Sequence, residues 1–382
     1  MPAEGLHRPA WAEISRSALA HNIATIRSEV GEARICAVVK ANGYGHGAQL
    51  VAPAMLEAGA DLLAVAIVDE GIELRALGIT APILLLAEIP ANTLRVALEH
   101  DLTLTVGSLE GARAVTTVAQ ELGGRYRVHL KVDTGMYRQG VAPADVLEAV
   151  ALLDSPHLTL EGIYTHFAVA DGDEEEDRAF TRSQTAIFDA VVASLEDRGI
   201  SIPLVHLANS AGALGHPHAT AALVRPGLAL YGYTPSGWLR DALEARGLSL
   251  RPALSLRAHV VAARDVEAGE RPSYGRRRPL AADSRVVTVP FGYADGYPRR
   301  LFDAGAHLLI GGRRVTLAGS VTMDQLLVNV GDADVRVGDD VVLLGRDGSE
   351  TVSAEDWAHW ASTITWEILC GISARVPRVL VD

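Results

Sequence analysis

Between residues 34 and 225 short apolar runs alternate with helical patterning, about eight times in some 200 residues. Ile35–Val39, Leu62–Ile67, Ile83–Leu86, Leu102–Thr105, Tyr126–Val132, Leu158–Thr165, Leu204–Leu207 and residues 222–225 read as buried strands. Helices are expected at 48–58, 69–77, 91–98, 108–122, 143–153 and 178–198. An extended stretch at Pro9–Ile14 and a helix from Ser15 or Ser17 through Val30 precede them. A chain this regular can close its strands into a barrel or spread them as an open, doubly wound sheet. The open sheet calls for a GxGxxG turn after its first strand, and none occurs. The expected fold is therefore α/β, with an N-terminal (β/α)8 TIM-like barrel.

Past residue 246 the texture changes. Ser255–Ala263, Arg285–Pro290, Val315–Gly319 and Asp340–Leu344 are short, valine-rich and separated by glycine turns, and helical signal is weak until 353–361. This predicts a C-terminal, mainly-β domain. The expected limits are 10–245 for the barrel and 246–382, with residues 1–9, for the β-rich domain. The run DGDEEED at 171–177 reads as a solvated loop, without the glycine and closing glutamate of a calcium loop.

A net charge of -13 sets the chain against phosphate backbones and anionic membranes, so neither nucleic acid nor membrane is an expected partner. The N-terminal residues lack the apolar core of a signal peptide, and no run approaches the ~18 residues of a membrane span. Cys36 and Cys370, far apart, read as buried thiols of a reducing compartment, and a cytoplasmic location is expected.

Of the 34 basic residues only two, Lys40 and Lys131, are lysines. An amine can lose its proton and form a Schiff base with a carbonyl; a guanidinium stays charged and cannot. Lys40 closes the first strand, and Gly43, Gly45 and Gly47 punctuate the loop beyond it, at the strand end where α/β proteins place their chemistry. Lys131 closes the fifth strand, seven residues before Arg138, and pairing with Asp133 is as good a reading of it as a chemical role. No HExxH or paired Cys–His spacing suggests a metal, and no GxSxG elbow suggests a hydrolase.

The segment AVVKANGYGHG resembles the lysine segment of bacterial alanine racemases, enzymes of fold type III that use pyridoxal 5'-phosphate (PLP). KVDTGMYRQG, YTHFAVAD, HLANS, RPGLALYG, PSYG, GYADGYPR and SVTMDQ extend the match in order, from about residue 10 to 378. The resemblance implies that Lys40 holds PLP and is one of two catalytic bases, with Tyr274 the other. It implies that Tyr44, Ser210, Gly227 and Leu228 serve the phosphate of the cofactor, that Arg225 faces the pyridine nitrogen, and that Asn209 and His166 also belong to the cofactor site. Arg138, Tyr293 and Met323 are implied near the substrate, and Lys131 as a carbamylated lysine. Tyr274 and Met323 would reach the other subunit's site, making a homodimer with shared active sites. The implied activity is interconversion of L- and D-alanine, supplying D-alanine for peptidoglycan. One departure stands out: CGISARVPR has Ala374 where some members carry tyrosine, which keeps a broader or serine-directed racemase as an alternative. A PLP-binding carrier protein would share the barrel and the lysine but lack the β-rich domain and the Tyr274 segment. A fold-related decarboxylase would have both domains but other motifs.

Overall fold

The computed structural model describes residues 7–216 and 221–382. Two compact units emerge. Ser17–Gly43 with Ala48–Arg251 form one, and the segment ending at Arg16, Tyr44–Gly47 and Pro252–Asp382 form the other.

The first unit is a closed parallel barrel. Its eight strands are Arg34–Val38, Leu62–Val65, Ile83–Leu85, Leu104–Val106, Tyr126–Lys131, Leu158–Tyr164, Leu204–His206 and Leu223–Val224. Four pair in the order third, second, first, eighth, and four in the order fourth to seventh. Two seams close the ring. A parallel bridge joins Leu84 to Thr103, and the Ala222 amide donates to the Val205 carbonyl. With no edge left, every strand is buried on both faces, which is why the sequence shows continuous apolar runs rather than alternation. Helices follow the strands, and Ser108 illustrates a start signal: its hydroxyl accepts from the Gly111 amide at 2.8 Å, capping helix Leu109–Leu122.

The acidic run at 171–177 is only partly a loop. Glu175, Glu176 and Asp177 form the first turn of the 22-residue helix Glu175–Glu196. Carboxylates there face the positive end of the helix dipole, so a sequence that looks merely solvated is also a helix start.

The second unit is a ten-stranded sheet. Its order is Ala262–Val266, Ser284–Val289, Leu326–Gly331, Arg313–Leu317, His307–Ile310, Asp340–Asp347, Leu254–His259, Ala10–Ser15 and Arg378–Val381, with Glu350–Val352 branching from Asp340–Asp347. The expected limits shift here. Ala10–Ser15, read with the barrel, lies between Leu254–His259, antiparallel, and Arg378–Val381, parallel. Residues 246–251, read with the β-rich domain, pack with the barrel, where the Asn22 side chain makes two hydrogen bonds to the backbone of Arg251, at 2.7 and 2.8 Å. Residues 1–6 of the expected N-terminal segment lie outside the described residues. The run 255–263 splits into two strands, and helix Thr365–Cys370 joins the expected one at Ala354–Ala361. Cys36 is buried, but Cys370 is exposed, against expectation: it ends that short helix on its outer side. No helix among the described residues is long and apolar enough to cross a membrane.

The Tyr44–Gly47 turn docks through a glycine. Gly45 has φ +79°, and a Cβ there would stand 2.0 Å from the Leu369 carbonyl oxygen. Its own carbonyl accepts from Arg378 Nε at 3.0 Å. Gly45→Ala is expected to combine a left-handed penalty of about 1–2 kcal/mol with a backbone clash, lowering the thermal midpoint by several degrees. A scanning-calorimetry midpoint equal to that of the unsubstituted chain would contradict this.

Candidate active site

Lys40 follows the first barrel strand and opens an unusual turn. Ala41, Asn42 and Gly43 have φ/ψ of 52/51°, 52/48° and 62/46°, and Tyr44 has φ 50°. Glycine adopts this region freely and asparagine tolerates it, but alanine and tyrosine do so at about 1–2 kcal/mol each. Local hydrogen bonds hold it: the Gly43 amide to the Val39 carbonyl at 2.8 Å, and the Ala48 amide to Asn42 Oδ1 at 2.8 Å. The Ala41 amide donates to Glu70 Oε1 at 2.6 Å.

Within the barrel, Arg225 is buried just past the eighth strand. Nη2 donates to the carbonyls of Thr165 at 2.8 Å and Leu207 at 3.0 Å and to His166 Nδ1 at 3.3 Å, and Nη1 donates to His206 Nδ1 at 2.6 Å. The guanidinium also lies 4.8 Å from the centroid of the Tyr164 ring. Burial pulls its pKa down to about 10, still far above neutrality, so it remains a cation that donates without surrendering its proton. Its Nε–H is buried without an acceptor among the described residues.

Arg225 determines the tautomers around it. Because arginine only donates, His206 Nδ1 is an acceptor and its proton sits on Nε2. That proton faces His129 Nδ1 at 2.9 Å, which leaves His129 Nε2–H pointed at Glu161, 3.4 Å away. The relay runs from guanidinium through two neutral imidazoles to a carboxylate. Burial first, and the Arg225 charge beside it, hold His166 and His206 well below the usual histidine pKa; burial also lowers His129. The hydrogen bond from His129 lowers Glu161. Gly162 makes room for this arrangement, since a Cβ there would meet His129 Nδ1 at 2.5 Å.

Lys131 is buried, with Nζ 5.8 Å from the Tyr164 ring centroid. Burial, then the charges of Arg138, Arg225 and Lys40, push its pKa down to about 8 against the pull of Asp133. Asp133 does not take it as a partner: its carboxylate accepts the amides of Gly135 at 2.9 Å and Tyr137 at 3.1 Å. Arg138 is exposed. The same charges, Lys40 and Lys131 included, act on His166, so Lys40, Lys131, Arg138, His166 and Arg225 share one electropositive mouth. Beside it, Ser210 Oγ accepts the amides of Gly227 at 2.9 Å and Ala229 at 3.3 Å, while Asn209 Oδ1 caps the next turn through the Gly212 amide at 2.9 Å. Leu228 is buried at the start of a 3-10 turn.

The remaining expected residues lie in the β-rich unit. Tyr44 is buried. Tyr274, Tyr293 and Met323 are exposed at 77%, 42% and 52%, on interlocked loops. Ser273 Oγ donates to the Ser320 carbonyl at 2.7 Å, and the amides of Tyr293 and Ala294 donate to the carbonyls of Thr322 and Met323 at 3.0 Å. Ala374 is exposed, and its neighbour Arg375 pairs with Asp324 at 2.7 Å and with buried Asp295 at 3.6 Å. Sequence reasoning passed over His129, Glu161 and Asp295. A histidine between Val128 and Leu130 in a buried strand was the one available signal.

Comparison with known proteins now decides the family. The alanine racemase N-terminal domain matches residues 14–235, and the alanine racemase C-terminal domain matches residues 253–380. The chain belongs to the alanine racemase family. It is 44% identical over 380 residues to the alanine racemase of Desulforamulus reducens, covering 98% of this chain and 100% of that one. The alanine racemase structure of Clostridium difficile 630 superposes with a TM-score of 0.92 at 38% identity, covering 98% of this chain and 96% of that one. A histidine racemase of Leuconostoc mesenteroides is also similar, with a TM-score of 0.89 at 29% identity, covering 98% and 99%. Alanine racemases are amino-acid racemases, a class of isomerase, and the match extends over both domains of the chain.

The imidazoles of His129, His166 and His206 carry a pH prediction. In the unfolded chain a histidine takes a proton below about pH 6.5, while His129, His166 and His206 resist it in the fold. Stability is thus expected to fall as pH drops below about 6.5, by up to about 1.4 kcal/mol per pH unit and site. Glu161 adds its own loss only below about pH 4.5. Thermal midpoints at about pH 7.5 and about pH 5.5 check this; equal values would contradict it.

Proposed function

We propose that this chain interconverts L- and D-alanine on PLP held by Lys40, with the α-proton passed between Lys40 and Tyr274. One observation carries the cofactor: the Arg225 Nε–H, buried in the barrel without an acceptor, beside a neutral His166. A pyridine nitrogen is an acceptor of the right kind. Ser210, which already gathers two backbone amides, would receive the phosphate together with the amides of Gly227 and Leu228, and Asn209 stands beside it. The sequence resemblance adds Tyr44 to the phosphate donors and Tyr293 and Met323 to the substrate contacts. When bound, the cofactor supplies electron withdrawal that acidifies the α-carbon. Arg225, by keeping its proton, limits how much charge the ring takes up, which favours returning a proton to carbon. Arg138 would bind the substrate carboxylate.

Lys131 is proposed to be a carbamate. At a pKa of about 8, about a fifth of its amine is neutral near pH 7.4, far more than for an ordinary lysine, and that fraction can attack the carbon of CO2 and shed a proton. The resulting anion would orient Arg138 where an ammonium repels it. In ¹³C-bicarbonate a carbamate carbon resonance is expected that disappears in Lys131→Ala; its absence from the unsubstituted chain means a plain amine.

The activity is tested by proton NMR of L-alanine in deuterated water with the PLP-loaded chain. Loss of the α-proton signal with appearance of D-alanine is expected, and neither in Lys40→Ala. Alpha-proton loss without D-alanine would overturn the two-base reading. Ala374 removes a hydroxyl and leaves room where some relatives carry tyrosine, so some activity on serine is expected in the same assay; complete inactivity on serine while alanine turns over would contradict this.

Exposure of Tyr274, Tyr293 and Met323 together supports a homodimer in which they serve the partner's site. Mixing Lys40→Ala with Tyr274→Phe subunits then gives hybrids with one intact site. Random reassortment restores about a quarter of the activity, because half the dimers are hybrid and half their sites are whole. No recovery would mean that each site draws both bases from one chain. A cytoplasmic location and supply of D-alanine for peptidoglycan complete the proposal.

A further inference from the structure

Glu70 reaches the Lys40 turn from a neighbouring unit of the barrel. It is the third residue of helix Val68–Ala76, which follows the second strand. Its Oε1 accepts the Ala41 amide at 2.6 Å, and its Oε2 accepts the amides of Ala66 at 2.8 Å and Ile67 at 3.4 Å. One carboxylate therefore staples the loop after the first strand to the loop after the second.

We propose that Glu70 is a positioning residue for Lys40, holding the left-handed turn that aims its amine. The turn begins on Ala41, at φ 52° without the asparagine or glycine that would make it easy, and the Ala41 amide is the group that Glu70 takes. A backbone forced into this region persists only when its surroundings over-determine it. A carboxylate suits the task because both its oxygens accept. Glutamine of the same shape must turn its NH2 toward either Ala41 or Ala66, setting donor against donor. Released, residues 41–43 would relax toward commoner dihedrals and swing the Lys40 side chain away from Arg225 and His166.

The inference rests on Lys40 being the cofactor lysine, which borohydride fixation of PLP on the unsubstituted chain and mapping of the labelled peptide tests separately. Glu70 itself is tested first without cofactor, by hydrogen–deuterium exchange of the peptide spanning residues 39–47. Glu70→Gln is expected to speed exchange at Ala41 and Gly43 about tenfold or more, the scale of a lost charge-assisted hydrogen bond, with peptides from the other strands unchanged. In the loaded protein the same variant is expected to slow PLP fixation on Lys40 by a similar factor. Glu70→Asp, charged but too short to span both loops, should fall between.

Ala41→Gly gives the decisive cycle. Glycine removes the strain that Glu70 restrains, so Ala41→Gly in the Glu70→Gln background should recover most of the lost fixation rate. Strict additivity of the two substitutions, or unchanged local exchange in Glu70→Gln, overturns the proposal. So does exchange that rises equally throughout the barrel, which marks Glu70 as generally structural.

Discussion

A buried guanidinium organises this barrel. Taking the Arg225 charge out of water is costly, and the fold recovers that cost only by surrounding it with acceptors: two carbonyls, two imidazole nitrogens and the face of Tyr164. Those acceptors come from the ends of the sixth and seventh strands and the loops after them. A cation at this depth also dictates what its neighbours can be. His166 and His206 must be neutral to accept its protons, and Lys131 sheds part of its own affinity for one. The protonation pattern of the site thus follows from the burial of each group and, after it, from the Arg225 charge, with Arg138 adding to it at Lys131.

Against that cationic interior, strain and electrostatics divide the labour. The turn after Lys40 is strained and is pinned by hydrogen bonds to backbone and to Glu70. The Arg225 cluster, by contrast, sits at the ends of regular strands and is fixed by satisfied donors. The Arg225 Nε is left without an acceptor among the described residues. In a protein interior an unpaired donor costs about 1–3 kcal/mol, so a ligand that supplies the acceptor gains binding free energy from the defect.

Much of this was legible in the sequence. Eight buried strands announced themselves as apolar runs, and the scarcity of lysine singled out Lys40 and Lys131 before any geometry was known. What the sequence could not convey came from long-range pairing. Ala10–Ser15 looks like the start of a barrel, yet its partners are Leu254–His259 and Arg378–Val381. His129 and Glu161 are unremarkable in their own strands and gain meaning only when the ring closes and His206 arrives alongside. The acidic run misled for a different reason: negative charge suits both open solvent and the start of a helix, and composition alone does not choose.

That sheet pairing bears on how the chain is made. Ala10–Ser15 leaves the ribosome early, but Ala10 finds its place opposite Ala258 and the strand's other edge is covered only by Arg378–Val381. The barrel, whose contacts all lie between residues 17 and 251, can form in the meantime. During synthesis the first strand therefore waits with both edges unpaired until Leu254–His259 has emerged, and with one edge open until Arg378–Val381 follows. This is a window in which a chaperone, or another nascent copy, has something to grasp.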